Sequence, residues 1–489
     1  MTTGGAGLSR RAFLGAGVAF GGMALLAPSR TGAARAPFDV STFKPTQEVT
    51  LTAGEMELKL LGPQGPATRI LAYDGTPFRT LRMPRGTRLK ATFVNGIDEG
   101  STLHFHGIRM PNEFDGVPTL TQPLVQPGGR FVHLLPLDDP GTFFFHPHCD
   151  ETGQAGKGLA GVLIVEDSRD PVFDAEHVLC LKDWRLKEDG SYLPLSEPDG
   201  ASKAGTFGAT RTVNGAASVE LKAPAGGHVR LRILNIDSTR IMDIGVEGGE
   251  AWLIAVDGHA LPPVRLDDLP DGIWRMGPAQ RIDLDIRMPA DGSPVTLGDY
   301  RAADIYPFAT LNAAGKVGKP RKGPLALPKA DLPKPALKQA TRLSFTLQQA
   351  TDQAVKDIAL PPDDPLAKAL IDSLCVGSTT YWGIQSESWP TGTRRNLPPP
   401  LARMEEGASY VVEIKNETRF PHPVHLHGHA FEVMSSSLGR LPRHFADTVL
   451  VQPGEAVETA FVAARGDWVF HCHILEHMET GMMGWFRIV

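Results

Sequence analysis

A chain of 489 residues is too long for one ordinary core, and at roughly 150 residues per domain it reads as three domains. Its 52 glycines and 41 prolines point to a turn-rich, all-β protein without reaching low-complexity composition. A formal charge of −6 with no block of like charge excludes a nucleic-acid partner held through its phosphates.

In chain order, residues 1–36 read as a leader outside the fold. Ser9-Arg10-Arg11-Ala12-Phe13-Leu14 opens an uncharged run through Leu26, and small residues follow from Thr31 to Ala36. This is the pattern of a twin-arginine signal, which implies the twin-arginine export machinery as a partner and a periplasmic or extracellular location. The apolar run is shorter than the roughly 20 residues of a membrane span, and no later segment reaches that length, so no span is expected in the mature chain. A monomer is expected.

Next comes a repeat. Arg85 to Asn95 is a short strand pattern whose Gly86 lies 18 residues before His104, and Glu406 to Asn416 repeats it with Gly407 lying 18 residues before His425. Gln126-Pro127-Gly128 leads to Phe143-Phe144-Phe145-His146, as Gln452-Pro453-Gly454 leads to Trp468-Val469-Phe470-His471. A middle copy, Gly227 to Asn235 and then Met276 to Leu284, has the strands without the histidines. Alternating apolar residues such as Val229, Leu231 and Ile233, with frequent Gly and Pro breaks, predict β-sandwich modules. The domains expected are 37–167, 168–325 without metal ligands, and 326–489, with the Lys- and Pro-rich stretch from Gly315 to Lys338 as the linker.

Four clusters hold ten of the 16 histidines: His104-Phe105-His106-Gly107, His146-Pro147-His148, His422-Pro423-Val424-His425-Leu426-His427, and His471-Cys472-His473-Ile474-Leu475-Glu476-His477. On a strand, residues i and i+2 share a face with Cα atoms about 7 Å apart, so each His-x-His is a ready pair of imidazoles. Two pairs from each terminal module supply eight nitrogens, enough for three copper ions. Cys472, between His471 and His473, points to the opposite face and so serves another metal. A thiolate, two imidazoles and a weak axial thioether make a blue copper site, and His422, Cys472, His477 and Met482 provide them. Structural zinc closes with four ligands rich in Cys and does not use ten histidines with one cysteine. That leaves Cys149, Cys180 and Cys375, an odd number: one disulfide and a free thiol, or three free thiols.

The order and separation of these motifs resemble those of the multicopper oxidases, and the repeat extends the likeness over nearly the whole mature chain. The resemblance implies three cupredoxin-like Greek-key β-sandwich domains and four copper ions. By it, His422, Cys472, His477 and Met482 hold a type 1 copper, and His104 with His425 a type 2 copper. The type 3 pair falls to His106, His146 and His473 on one ion and His148, His427 and His471 on the other. Asp115 matches the family's proton-supplying acid near the type 2 side, and Glu476 its acid near the type 3 pair; either can instead only orient a ligand. The activity implied is laccase-like: four one-electron oxidations of phenols or aromatic amines coupled to reduction of dioxygen to water. An oxidase of cuprous or other metal ions is the alternative, disfavoured because the 13 methionines form no methionine-rich insertion. A non-catalytic cupredoxin-repeat protein would have lost these ligands, and a copper nitrite reductase would split them between subunits.

Overall fold

The computed structural model describes residues 39–302, 304–318, 321–350, 379–385, 388–389, 397–439 and 441–489. The leader and Cys375 lie outside the described residues. Cys149 is disulfide-bonded, whereas Cys180 and Cys472 are free.

Among the described residues the strands form six sheets, which pair in chain order into three sandwiches. The first, over residues 47–166, sets Gln47–Leu58 beside Thr87–Asn95 and packs that sheet on the one holding Gly141–His146 and His104–His106. The middle one spans 175–313 and the last 341–488. The repeat is visible in the pairing. Each sandwich has a parallel contact between its opening strand and a central one: Gln47–Leu58 with Thr87–Asn95, Ala175–Trp184 with His228–Asn235, and Thr341–Gln349 with Ser409–Asn416. The fold is thus all-β and cupredoxin-like in all three parts, the middle one included.

Thr87–Asn95 shows why these strands form. Thr87, Leu89, Ala91, Phe93 and Asn95 are buried while the residues between them are half-exposed, the period of a strand with one face on a core. The histidine strands break that pattern. His104–His106 and His422–Leu426 are buried at every position, because one face closes a sandwich core and the other closes the contact between the first and last sandwiches. The described residues between Gly315 and Lys338 carry neither strand nor helix.

Candidate metal centres

Register fixes the imidazoles. His104 lies opposite His146, and His425 opposite His471, so alternation turns four His-x-His pairs toward one space between the outer sandwiches. There the rings of His104 and His427 stack at 4.1 Å and those of His106 and His425 at 3.7 Å. His427 Nε2 stands 3.3 Å from His148 Nε2 and 3.1 Å from His471 Nε2. The His473 ring is 5.0 Å from His106 and 5.1 Å from His146. None of the eight is more than 4% exposed.

Unpartnered nitrogens mark the donor atoms. His104 and His425 give Nδ1–H to the backbone carbonyls of Asp115 (2.7 Å) and Asp447 (2.8 Å), leaving each Nε2 buried without a partner. His106 is reversed: its Nε2 meets Asp447 Oδ1 at 2.9 Å and its Nδ1 is the orphan. His146 gives Nδ1–H to the Pro147 carbonyl at 2.7 Å, and neither nitrogen of His473 has a partner. So many buried, unsatisfied lone pairs are costly unless a cation binds them. Burial also keeps the rings neutral, pushing His106, His146, His427, His471 and His473 well below their usual 6.5 and His148 down to about 4. Neutral imidazole is the form that binds metal.

The middle sandwich has no ligand here, yet it contributes a charge. Arg281 donates to Asp447 Oδ1 at 2.9 Å and Oδ2 at 2.6 Å, and to the carbonyls of Thr142 and Asp257. Burial alone would raise Asp447, but the Arg281 guanidinium and His106 hold its carboxyl well below the usual range. Burial, then the charge of Asp447, pushes Asp257 up to about 7. Gly107 ends the first ligand strand at φ +82, directly beneath this ion pair. A Cβ there would stand 2.3 Å from Asp447 Oδ2 and 2.7 Å from Arg281 Nη2, so only glycine turns the chain at that point.

On the other face of Gly466–Cys472 the thiol belongs to a separate site. His422 Nδ1 and His477 Nδ1 lie 3.6 and 3.8 Å from Cys472 Sγ and 3.0 Å from each other. Their far nitrogens are engaged, His422 Nε2 with Thr418 Oγ1 and His477 Nε2–H with the Lys203 carbonyl, both at 2.8 Å, which leaves each Nδ1 to face the sulfur. Met482 is fully buried; its carbonyl accepts from Cys472 N–H at 3.0 Å and its own N–H donates to the His477 carbonyl at 2.8 Å. The Trp382 indole covers both imidazoles, 4.5 Å from His477 and 5.2 Å from His422. Burial pushes His477 down to about 3 and pushes the Cys472 thiol up, so the thiolate forms with a metal and not before it.

The two acids fare differently. Asp115 is buried in the cluster, its Oδ2 accepting from His427 Nδ1 at 2.9 Å and its Oδ1 without a hydrogen-bond partner. Glu476 does not make its hydrogen bonds in the cluster. Its two oxygens accept from Thr206 N–H and Oγ1–H, each at 2.5 Å, in the middle sandwich. The reason is local: the ligand strand stops at Cys472 and Glu476 sits on a helical turn, α3 (Leu475–Glu479), where neighbours diverge by roughly 100°. A further acid beside the imidazoles is one the sequence reasoning passed over. Glu151, on the short helix α1 (Glu151–Gln154), is fully buried with Oε1 3.3 Å from His148 Nδ1 and Oε2 3.5 Å from His146 Nδ1. Its signal was an acid three residues after His148, on the far side of Cys149. Asp447 and Arg281 had no local signal at all.

Comparison with known proteins agrees with this geometry. Multicopper oxidase family models match residues 57–170 and 376–489. The crystal structure of a multi-copper oxidase from Pseudomonas thermotolerans aligns at a TM-score of 0.80 with 33% identity, covering 91% of this chain and 99% of that one. Multicopper oxidase MmcO of Mycobacterium tuberculosis is 26% identical across 97% of this chain and 95% of its own. Copper resistance protein A of Escherichia coli is 23% identical across 90% and 92%. The chain belongs to the multicopper oxidases, copper-binding oxidoreductases, and the histidine and cysteine clusters above are where its residues fit copper.

Proposed function

We propose that the protein is a laccase-like oxidase that takes single electrons from phenols and aromatic amines and uses four of them to reduce dioxygen to water. Four coppers are assigned: type 1 on His422, Cys472, His477 and Met482; type 2 on His104 and His425; and a type 3 pair on His106, His146 and His473 and on His148, His427 and His471. Bound copper supplies the one-electron chemistry and the oxygen binding. The observation that carries the reading is Cys472, whose sulfur joins the His422–His477 pair while its chain neighbours His471 and His473 join the other cluster. One peptide unit on either side links the two sites. Asp115, with Oδ2 on His427 and Oδ1 3.3 Å from His104 Nδ1 without a hydrogen bond, is assigned to proton supply. Export by the twin-arginine route and a monomeric state are part of the same proposal.

A second reading, oxidation of cuprous ion, is favoured by the likeness to a copper resistance protein. Against it, Met478, Met482 and Met483 beside the cysteine site are all buried and offer no exposed thioether. Turnover of the copper-loaded protein under oxygen with a phenol and with cuprous ion decides between them. Faster specific turnover of the phenol is expected, and turnover of cuprous ion alone selects the second reading.

A further inference from the structure

The cysteine site is closed from outside by a segment of the middle sandwich, residues 197–208, and the way this segment is fastened bears on which donors can use the site. The inference rests on the oxidase reading above. His477 turns Nδ1 toward Cys472, so its proton is on Nε2, and that proton goes to the Lys203 carbonyl at 2.8 Å. A phenol seeking a hydrogen bond from this imidazole finds it taken. The segment contains the short helix α2 (Pro198–Ala201), and its one large apolar side chain, Phe207, is 43% exposed. Polar bonds, not a core, therefore hold it down. The Ala201 carbonyl accepts from Trp382 Nε1–H at 2.7 Å, and Thr206 gives both its N–H and its Oγ1–H to the buried carboxylate of Glu476.

We propose that residues 197–208 are the specificity element of the type 1 site and that Glu476 is the positioning residue that holds them closed. Aromatic donors dock on the outer face against the exposed ring of Phe207, over which the Arg240 guanidinium stands at 4.9 Å, itself paired with Asp183 at 2.7 Å. That exposed ring favours flat, electron-rich phenols, which can stack on it. Electrons then reach His477 across the Lys203 carbonyl hydrogen bond, with no direct contact between donor and imidazole. Each phenol loses one electron and releases its proton to water, and four electrons with four protons turn one dioxygen into two waters.

Glu476→Gln and Thr206→Val each remove part of the fastening while preserving shape. In the metal-free protein, deuterium exchange of the 197–208 amides should quicken roughly fivefold in either variant, the effect of losing one hydrogen bond, with the Gly466–Cys472 strand unchanged. In the copper-loaded protein, the ratio of kcat/KM for 2,6-dimethoxyphenol to that for hexacyanoferrate(II), which needs no hydrogen bond, should shift by roughly the same factor toward the phenol as the imidazole edge opens. Unchanged exchange overturns the role of Glu476, and faster exchange with an unchanged ratio overturns the role of the segment. Wild-type protein that binds copper without a blue band fails the oxidase reading instead, and the exchange result stands apart from it.

Discussion

Asp115 and Asp447 mirror each other across the histidine cluster. Asp115 accepts His104 Nδ1–H on its carbonyl and His427 Nδ1–H on its carboxylate; Asp447 accepts His425 Nδ1–H on its carbonyl and His106 Nε2–H on its carboxylate. Each aspartate therefore orients one ligand from its own sandwich and one from the other, fixing which nitrogen is free for metal. They differ in their remaining contacts. Asp447 is paired with Arg281, whereas Asp115 Oδ1 has no hydrogen-bond partner.

That difference predicts opposite outcomes for the same substitution. Asp115→Asn keeps the shape and should retain copper, but it loses a proton-holding oxygen, so reoxidation of the reduced protein by oxygen should slow roughly 100-fold in stopped flow. An unchanged rate makes Asp115 an orienting residue only. Asp447→Asn removes the nearer of the two carboxylates around the buried Arg281 charge, leaving Asp257 Oδ1 at 3.4 Å, which should cost about 3 kcal/mol in unfolding experiments. A variant with native stability would show that the ion pair holds nothing together.

Cys472→Ser should abolish both the blue absorption and donor oxidation, because serine supplies no thiolate. The eight imidazoles lie on the other face of the strand, so type 2 and type 3 signals should remain in electron paramagnetic resonance and near-ultraviolet spectra. A blue, active variant removes Cys472 from the site.

The sequence exposed what is local. The His-x-His pairs are two residues apart on single strands, and Cys472 sits between two of them, so periodicity alone assigned their faces. The repeat carried the fold in the same way, since the middle copy kept its strands without its ligands. Contacts between sandwiches left no such trace. His106 and Asp447 are 341 residues apart, and Arg281 is an ordinary strand residue until the fold brings it between two carboxylates. The place of Glu476 was no more legible, because its carboxylate accepts from Thr206, 270 residues away in another sandwich.

Burial of histidines predicts acid lability. His133, His259, His429 and His444, outside the proposed ligand set, are each pushed down to about 4 by burial, against 6.5 in the unfolded chain. Below pH 6.5 the unfolded chain binds protons that the native protein refuses, so stability falls with pH and levels off only below about 4. Asp183 and Asp257, raised to about 7, and Glu479, raised to about 8, act in the opposite sense. The buried ligand histidines join the first group and decide the sign. Calorimetry of the metal-free protein should show Tm lower at pH 4.5 than at pH 7 by roughly 10 °C; an equal or higher Tm would mean the acids win.

The last prediction concerns the axial position. Met483 pairs in register with His471, and paired residues share a face, so Met483 lies on the side of the histidine cluster. Its neighbour Met482 falls on the side of Cys472. Packing agrees, because Met483 lies among Val469, Met478 and Trp485, whereas Met482 shares a core with Cys472 and Trp382. A thioether in the axial position donates weakly to cupric ion and stabilises the oxidised state. Met482→Leu roughly conserves volume and should cost less than about 1.5 kcal/mol in stability, so the site should still form. Its reduction potential should rise, making difficult phenols easier to oxidise. Turnover need not follow, since a higher potential at this copper weakens the drive for transfer onward to the cluster. Redox titration of the blue band in Met482→Leu and Met483→Leu reads the assignment directly: an upward shift is expected in the first variant alone, and a shift only in the second would move the axial ligand one residue along the chain.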